Sequence, residues 1–335
     1  MEEERRRADA RRRGAHIWGH HVKIVDEHGL SVALIETADL TAEPWLSSDR
    51  HIDVVRMLKP PVGLRDDLAA RGFICKPEML TWLARLESDE STFLARLGNK
   101  SRQDIRRAQR QAAGSLREVV QDESVDAETL DRFLALYEER VSGMQFGVPY
   151  ARRHREAVLH GPQKYFAHFA FEHDELVGGC LVLECPEEDA IRIRFSAVTE
   201  SWRRSSLART LYFSALQTAR SKGYTWATLG DEPNLYGHLT QAGLFSFKVN
   251  MGFTAVPSQD FSDPTGCDEA DLVLNLATLK DPCLILGYAN PSDVTERALY
   301  GNLITESEID ARKFSAHFLT EMKTRPPRNL RGARD

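Results

Sequence analysis

Four places in the sequence carry side chains of the kinds that move protons or hold charge. In the run Leu229-Gly230-Asp231-Glu232-Pro233-Asn234 a carboxylate at Asp231 is followed by Asn234, Tyr236 and His238. A carboxylate at the carboxyl end of a parallel strand, where a sheet opens, can take a proton from an attacking ammonium, directly or through a water. Asp231 is the first candidate for such a general base and His238 the second; the competing role for Asp231 is to cap the next helix. In GLFSFKVNMGF, Lys248 follows directly on Phe247, shortly before Gly252 and Phe253. A lysine near a helix end most often answers the macrodipole, whereas a fixed cation beside a reacting carbonyl stabilises a tetrahedral oxyanion. Arg192 and Arg194 alternate along a strand and so share a face. Two guanidiniums together suit an anionic ligand, with pairing to Glu184 as the alternative. His16, His20 and His21 lack a cysteine or carboxylate at matching spacing, so no metal site is expected.

These side chains need a scaffold, and the periodicities propose one. Residues 164–199 read as three strands joined by the turns His173-Asp174-Glu175 and Pro186-Glu187-Glu188-Asp189, a meander by its short connections. An amphipathic helix over about 205–221, closing at Gly223, and a strand over about 225–230 come next. Strand, helix and strand so closely joined imply a right-handed parallel crossover. Upstream, helices are expected over about 89–97 and 100–112, the second strongly basic, and over 126–144, where Leu130, Phe133, Leu134 and Tyr137 fall on one face. Short β-branched runs predict strands within 20–40, 51–61, 270–277 and 283–289. Residues 234–253 read as helix; past 290 the chain reads as acidic and helical, then basic, with its last dozen residues lacking fixed structure. The class is α/β (α+β): a mixed, mostly antiparallel sheet with one parallel crossover helix.

The formal net charge of −6 argues against general nucleic-acid binding, yet basic residues gather at Arg5–Arg13, Arg96–Arg110 and Lys323–Arg334. Such a local face can hold phosphates even on an acidic protein, and solvated helix faces with loose ends are the plainer account. No run approaches the ~18 apolar residues of a membrane helix, and MEEERRRADARRRGAH is charged where an export signal is apolar. A cytoplasmic protein without membrane attachment is expected. Five cysteines without a CxxC pair fit reduced thiols.

The meander, crossover helix and following strand resemble the GNAT acyltransferase fold, and within it the FemABX-like group, which includes enzymes that draw on aminoacyl-tRNA. Three stretches carry the resemblance: LARLGNKSRQDIRRAQR as the basic helix, LYFSALQTARSKGYTWATLG as the crossover helix and strand, and GLFSFKVNMGF as the Phe-Lys motif. The likeness covers about 70–256 and implies a charged leader over 1–20, a degenerate GNAT-like lobe over 21–120, an acyltransferase domain over 121–290 and a helical, basic extension over 291–335. It implies that the turn Arg203-Arg204-Ser205-Ser206-Leu207-Ala208 holds the donor's phosphates through helix N–H groups. Ser206 stands where the family's pattern has glycine, which weakens the coenzyme A inference. An N-cap at Ser205 with surface arginines is the plainer reading of the same turn. The resemblance further implies Phe247 as a wall beside the donor, Lys248 as oxyanion stabiliser, and Asn234 and Tyr236 among the donor contacts. Lys100, Arg102, Arg106, Arg107 and Arg110 would follow a tRNA backbone. Tyr137, Glu138, Tyr150, Arg192 and Arg194 would shape the acceptor side. The expected activity is transfer of an acyl group to an amine of a small molecule or peptide, with no permanently bound cofactor. Aminoacyl-tRNA is the favoured co-substrate, acyl-coenzyme A the alternative, and a non-catalytic module binding RNA or protein the reading from another class.

Overall fold

The structure, a computed structural model, describes residues 22–293 and 295–328. The histidine cluster at 16–21 and the last seven residues lie outside that range. In chain order the elements used below are β1 (Lys23–Glu27), β2 (Leu30–Ile35), β3 (Val54–Leu58), β4 (Ile74–Pro77), β5 (Met79–Arg85), α1 (Glu90–Ala95), α2 (Asn99–Ser115), β6 (Arg117–Gln121), α3 (Ala127–Ser142), β7 (Tyr165–Glu172), β8 (Glu175–Cys185) and β9 (Ala190–Val198). They continue with α4 (Leu207–Ser221), β10 (Trp226–Pro233), α5 (Ala242–Asn250), β11 (Thr254–Pro257), β12 (Asp268–Val273), β13 (Cys283–Tyr288), β14 (Leu299–Ile304) and β15 (Leu319–Arg325).

The contacts divide the chain otherwise than at residue 120. One unit holds residues 1–80, 232–246 and 257–335, and the other 81–231 and 247–256. The reason lies in the first unit's five-stranded sheet, ordered β1-β2-β3-β12-β4. Strand β12, drawn from far along the chain, inserts between β3 and β4 and pairs antiparallel with both, so the N-terminal sheet is complete only when the C-terminal part returns. One face of that sheet buries Ala33, Trp45, Val55, Leu68, Phe73 and Leu272, and the other buries Leu30, Val32, Val54, Ile74, Cys283 and Ile285. Among the described residues past 290 no α-helix forms. Apolar side chains of Leu299–Ile304 are buried almost throughout, and β13, β14 and β15 form a three-stranded sheet, leaving a 3₁₀ turn at Ala311–Phe314. The helix expected over 234–253 begins only at Ala242, because Tyr236 is held in bridges to Leu284 and Thr240.

The second unit is built on a seven-stranded sheet, ordered β11-β5-β10-β9-β8-β7-β6. The expected meander is present: β6 to β9 pair antiparallel in succession, and β10 returns parallel to β9 after the crossover helix α4. Helix α3 covers one face with Leu130, Phe133 and Leu134 packed on Phe169, Leu181 and Phe195, the stripe its 3.6-residue period predicts. Asp126 caps it, accepting the Thr129 N–H at 2.8 Å. The close approach of Phe133 requires glycine at 179, where a Cβ would lie 2.9 Å from the ring. Helix α4 covers the other face, with α2 alongside it.

Candidate active site

Strands β9 and β10 are parallel neighbours over only three residue pairs, Trp226–Ala190, Ala227–Ile191 and Thr228–Arg192. Beyond Thr228 the pairing ends although both strands continue. Gly230 sits just past that point with φ +75°, a left-handed conformation that a side chain would resist, and its N–H bonds back to the Thr228 hydroxyl at 3.0 Å. On β9 the register with β8 slips so that Leu181 faces Phe195 and Val182 faces Ile193, which leaves Arg194 as the extra residue of a bulge. Two neighbouring strands therefore part beside residues that carry charge.

The turn into α4 borders this opening in sequence. Ser206 occupies φ 61°, ψ 28°, the left-handed region, and α4 begins at Leu207 with no side-chain cap. Its first N–H groups, those of Leu207 and Ala208 among them, lack intrahelical partners, as at any helix start, and the dipole adds partial positive charge there. Arg203 and Arg204 are exposed, and Arg203 lies 3.6 Å from Glu200. Ser205 does not cap the helix; its hydroxyl accepts the Gln111 amide at 3.0 Å, which ties α2 to the turn. On α2, Ser101, Ile105, Ala108 and Ala112 face inward, leaving Lys100, Arg106, Arg107 and Arg110 outward. Arg102 is half-buried against Asn99, and Arg107 reaches Asp104 at 3.1 Å.

Lys248 is not a surface lysine at a helix end. Its side chain is buried with Nζ 5.3 Å from the centre of the Trp82 ring, a cation over an aromatic face. Phe247 stacks edge-on against Tyr212 at 5.9 Å with the Arg209 guanidinium above it. The Tyr212 phenol shares a hydrogen bond with the Ser196 hydroxyl at 2.8 Å, and burial pushes its pKa up to about 12. Trp82, Tyr212, Ser196 and Arg209 escaped the sequence reading; the Trp and Tyr sit in apolar runs that look like plain core.

Asp231 is exposed and accepts the Thr81 hydroxyl at 2.5 Å. Thr81 and Trp82 are consecutive on β5, so their side chains leave opposite faces. Asp231 and Lys248 thus each engage β5, at the neighbouring residues Thr81 and Trp82. Of the residues expected to shape an acceptor site, Tyr137 is packed against Phe133 and Phe195, and burial raises its phenol. Arg192 and Arg194 share a face as expected, since both charges act on Tyr165, whose phenol burial raises. Arg194 bonds His154 at 3.1 Å, and Arg192 approaches Glu188 at 3.8 Å. Glu184 is instead taken by Tyr224 and Lys222. Glu138 pairs with Arg152 at 2.6 Å, and Tyr150 is half-exposed under Arg153.

Three expected site residues belong to the first unit. Asn234 gives its amide to the Pro77 and Leu286 carbonyls and accepts the Leu286 N–H, the full complement of a buried strand linker rather than of a ligand contact. Tyr236 is fully buried and donates to Glu232 at 2.6 Å. His238 shares a hydrogen bond with the His28 carbonyl oxygen at 3.1 Å, and burial lowers its pKa. Among the described residues no group of three or more His, Cys, Asp or Glu side chains can hold a metal ion.

Residues 99–236 match the family model of the acetyltransferase (GNAT) domain. No curated protein matches the chain. Among solved structures, FemX aligns at 13% identity over 75% of this chain and 83% of its own, with a TM-score of 0.44. L-PGS from Bacillus licheniformis aligns at 13% identity over 74% of this chain and 79% of its own, with a TM-score of 0.39. A tandem GNAT protein from the clavulanic acid biosynthesis pathway aligns at 11% identity over 73% and 76%, with a TM-score of 0.37.

Proposed function

We propose that this chain, whose residues 99–236 match the acetyltransferase (GNAT) domain model, transfers an aminoacyl group from aminoacyl-tRNA to the amine of a small molecule or peptide. The observation that carries this reading is the Gln111–Ser205 hydrogen bond, which joins the outward basic face of α2 to the turn with the open helix N–H groups. A terminal phosphate at that turn leaves the next phosphates of a nucleic acid beside Arg106, Arg107 and Arg110; a small donor has less use for them. Lys248, held dry over Trp82, supplies positive charge to the oxyanion as the amine nitrogen attacks the ester carbon. Asp231 takes the ammonium proton. Collapse breaks the ester bond, and the departing ribose oxygen takes up a proton. The helix N-terminus with Ala208 at its second position favours acetyl-coenzyme A as the second reading.

Binding of labelled bulk aminoacyl-tRNA and of acetyl-coenzyme A across a salt series separates the two. Four outward cations meeting four phosphates give a slope of about −3 in log affinity against log salt. Lys248→Ala then loses about 100-fold or more in turnover while donor affinity stays. Saturable coenzyme A binding without tRNA affinity establishes the second reading, and full activity in Lys248→Ala removes Lys248 from the mechanism.

A further inference from the structure

The first unit contains a cavity of about 410 Å³, within the range of small-molecule pockets. Its floor is ionic. Strand β12 places Asp271 directly opposite Arg56 of β3 and Glu269 directly opposite Lys76 of β4. Arg56 grips Asp271 through two hydrogen bonds of 2.7 and 2.8 Å and reaches Glu27 at 2.9 Å. Lys76 donates to Glu269 at 2.8 Å and lies 3.4 Å from Asp271. Arg56, Lys76, Glu269 and Asp271 are all buried, and the first three line the cavity. Apolar residues at such positions commonly give equal or greater stability, because ions lose their hydration on burial. The same sheet packs its other face with an apolar cluster that includes Ala33, Val55, Met57, Ala270 and Leu272.

The charges do not balance. Asp26, Glu27, Glu78, Glu269 and Asp271 set five carboxylates against the two cations Arg56 and Lys76, an excess of three negative charges. Among the described residues Asp26 accepts the Gly29 N–H and Glu78 a thiol hydrogen from Cys267, and no cation pairs with either. Burial lowers the pKa of His238 in the wall, which adds no positive charge at neutral pH. The wall also carries His28 and Asn234, and its apolar part is made by Val25, Leu30, Met79, Leu235 and Leu239. We propose that this cavity is a binding site for an aliphatic organic cation, a di- or polyamine whose methylenes lie on the apolar wall and whose ammonium groups meet the excess carboxylates. The site stands apart from the transferase reading, since it is built from the first unit alone and its test involves no donor and no turnover.

The test is calorimetric titration of the full-length protein with 1,5-diaminopentane, with glutarate as the charge-reversed compound of equal chain length, and with Ca²⁺ alone. The expected result is saturable one-to-one binding of the diamine, none of glutarate, and weaker binding of Ca²⁺. Glu27→Gln, at a partly exposed strand end, weakens the diamine by about fivefold, the loss of one charge contact. Leu239→Trp, which fills the mouth from a half-exposed position without touching the ionic floor, removes the binding. Equal binding of diamine and glutarate overturns the proposal, and so does an affinity unchanged in both variants. Ca²⁺ binding tighter than the diamine and lost in Glu27→Gln replaces the organic cation with a metal. The comparison of diamine with glutarate uses the unaltered protein, so it decides the matter even if a variant folds poorly.

Discussion

Ser206 offers a direct test of how the turn into α4 is held. Its φ of 61° and ψ of 28° lie in the left-handed region, and its side chain caps nothing. A Cβ in that region costs about 1–2 kcal/mol, and glycine returns about 0.5–1 kcal/mol of that through the greater freedom of its unfolded chain. Ser206→Gly is therefore stabilising by about 0.5–1 kcal/mol, which for a domain of this size raises Tm by about 1–4 °C. Urea unfolding followed by tryptophan fluorescence measures it, because Trp82, Trp202 and Trp226 all belong to the second unit and report on it. The midpoint rises at constant m-value. A lower midpoint, or one unchanged to within 0.2 kcal/mol, refutes the strain argument. The same change also removes the Cβ beside the N–H groups of Leu207 and Ala208, so a phosphate-bearing donor binds more tightly to the variant.

Gly230→Ala works in the opposite sense. At φ +75° the added methyl has room, with Arg192 its nearest neighbour at 4.0 Å, so the loss is purely conformational: the Cβ cost, less the freedom removed from the unfolded chain, leaves about 0.5–1 kcal/mol by the same unfolding assay. Arg56→Leu strips the buried carboxylate of Asp271 of its two-point partner and costs about 3–5 kcal/mol at pH 7. Its pH dependence has a definite sign. In the parent protein the charges of Arg56 and Lys76 hold the Asp271 carboxyl below its usual range against the pull of burial, so that contribution is present above the unfolded pKa and is lost as pH falls through the folded one. Without Arg56 burial raises the Asp271 carboxyl instead, so the penalty is relieved as pH falls toward the unfolded value of about 3.9. Thermal melts from pH 7 to 4.5 see the gap between variant and parent narrow, and a constant gap contradicts the assignment.

The parts of the fold that were legible in the sequence are those whose signal is local. Helix α3 announces itself by Leu130, Phe133, Leu134 and Tyr137 and by the cap at Asp126, and the β7 to β9 meander by period and short polar turns. The insertion of β12 between β3 and β4 was not legible, since the pairing of Asp271 with Arg56 spans 215 residues and leaves no local trace. Pairing within the sheet of β13, β14 and β15 likewise made strands of 299–304 and 319–325, and in the second Glu321, Lys323 and Arg325 mask the apolar positions. The candidate site divides the same way. Lys248 and Asp231 were visible as charges at element ends, but the residues that fix them, Trp82 and Thr81, were anonymous members of a strand. Asn234 misled for a related reason: its polarity suggested a ligand, and it serves three backbone groups of its own unit.

The position of Thr81 and Trp82 bears on how such a site can be organised. An acyl transfer needs a cation where negative charge develops on oxygen and a base where an ammonium sheds its proton. Consecutive residues of a strand address opposite faces, and β5 offers Trp82 to Lys248 and Thr81 to Asp231. Beyond Thr228 β10 parts from β9, and the left-handed Gly230 sits at that opening.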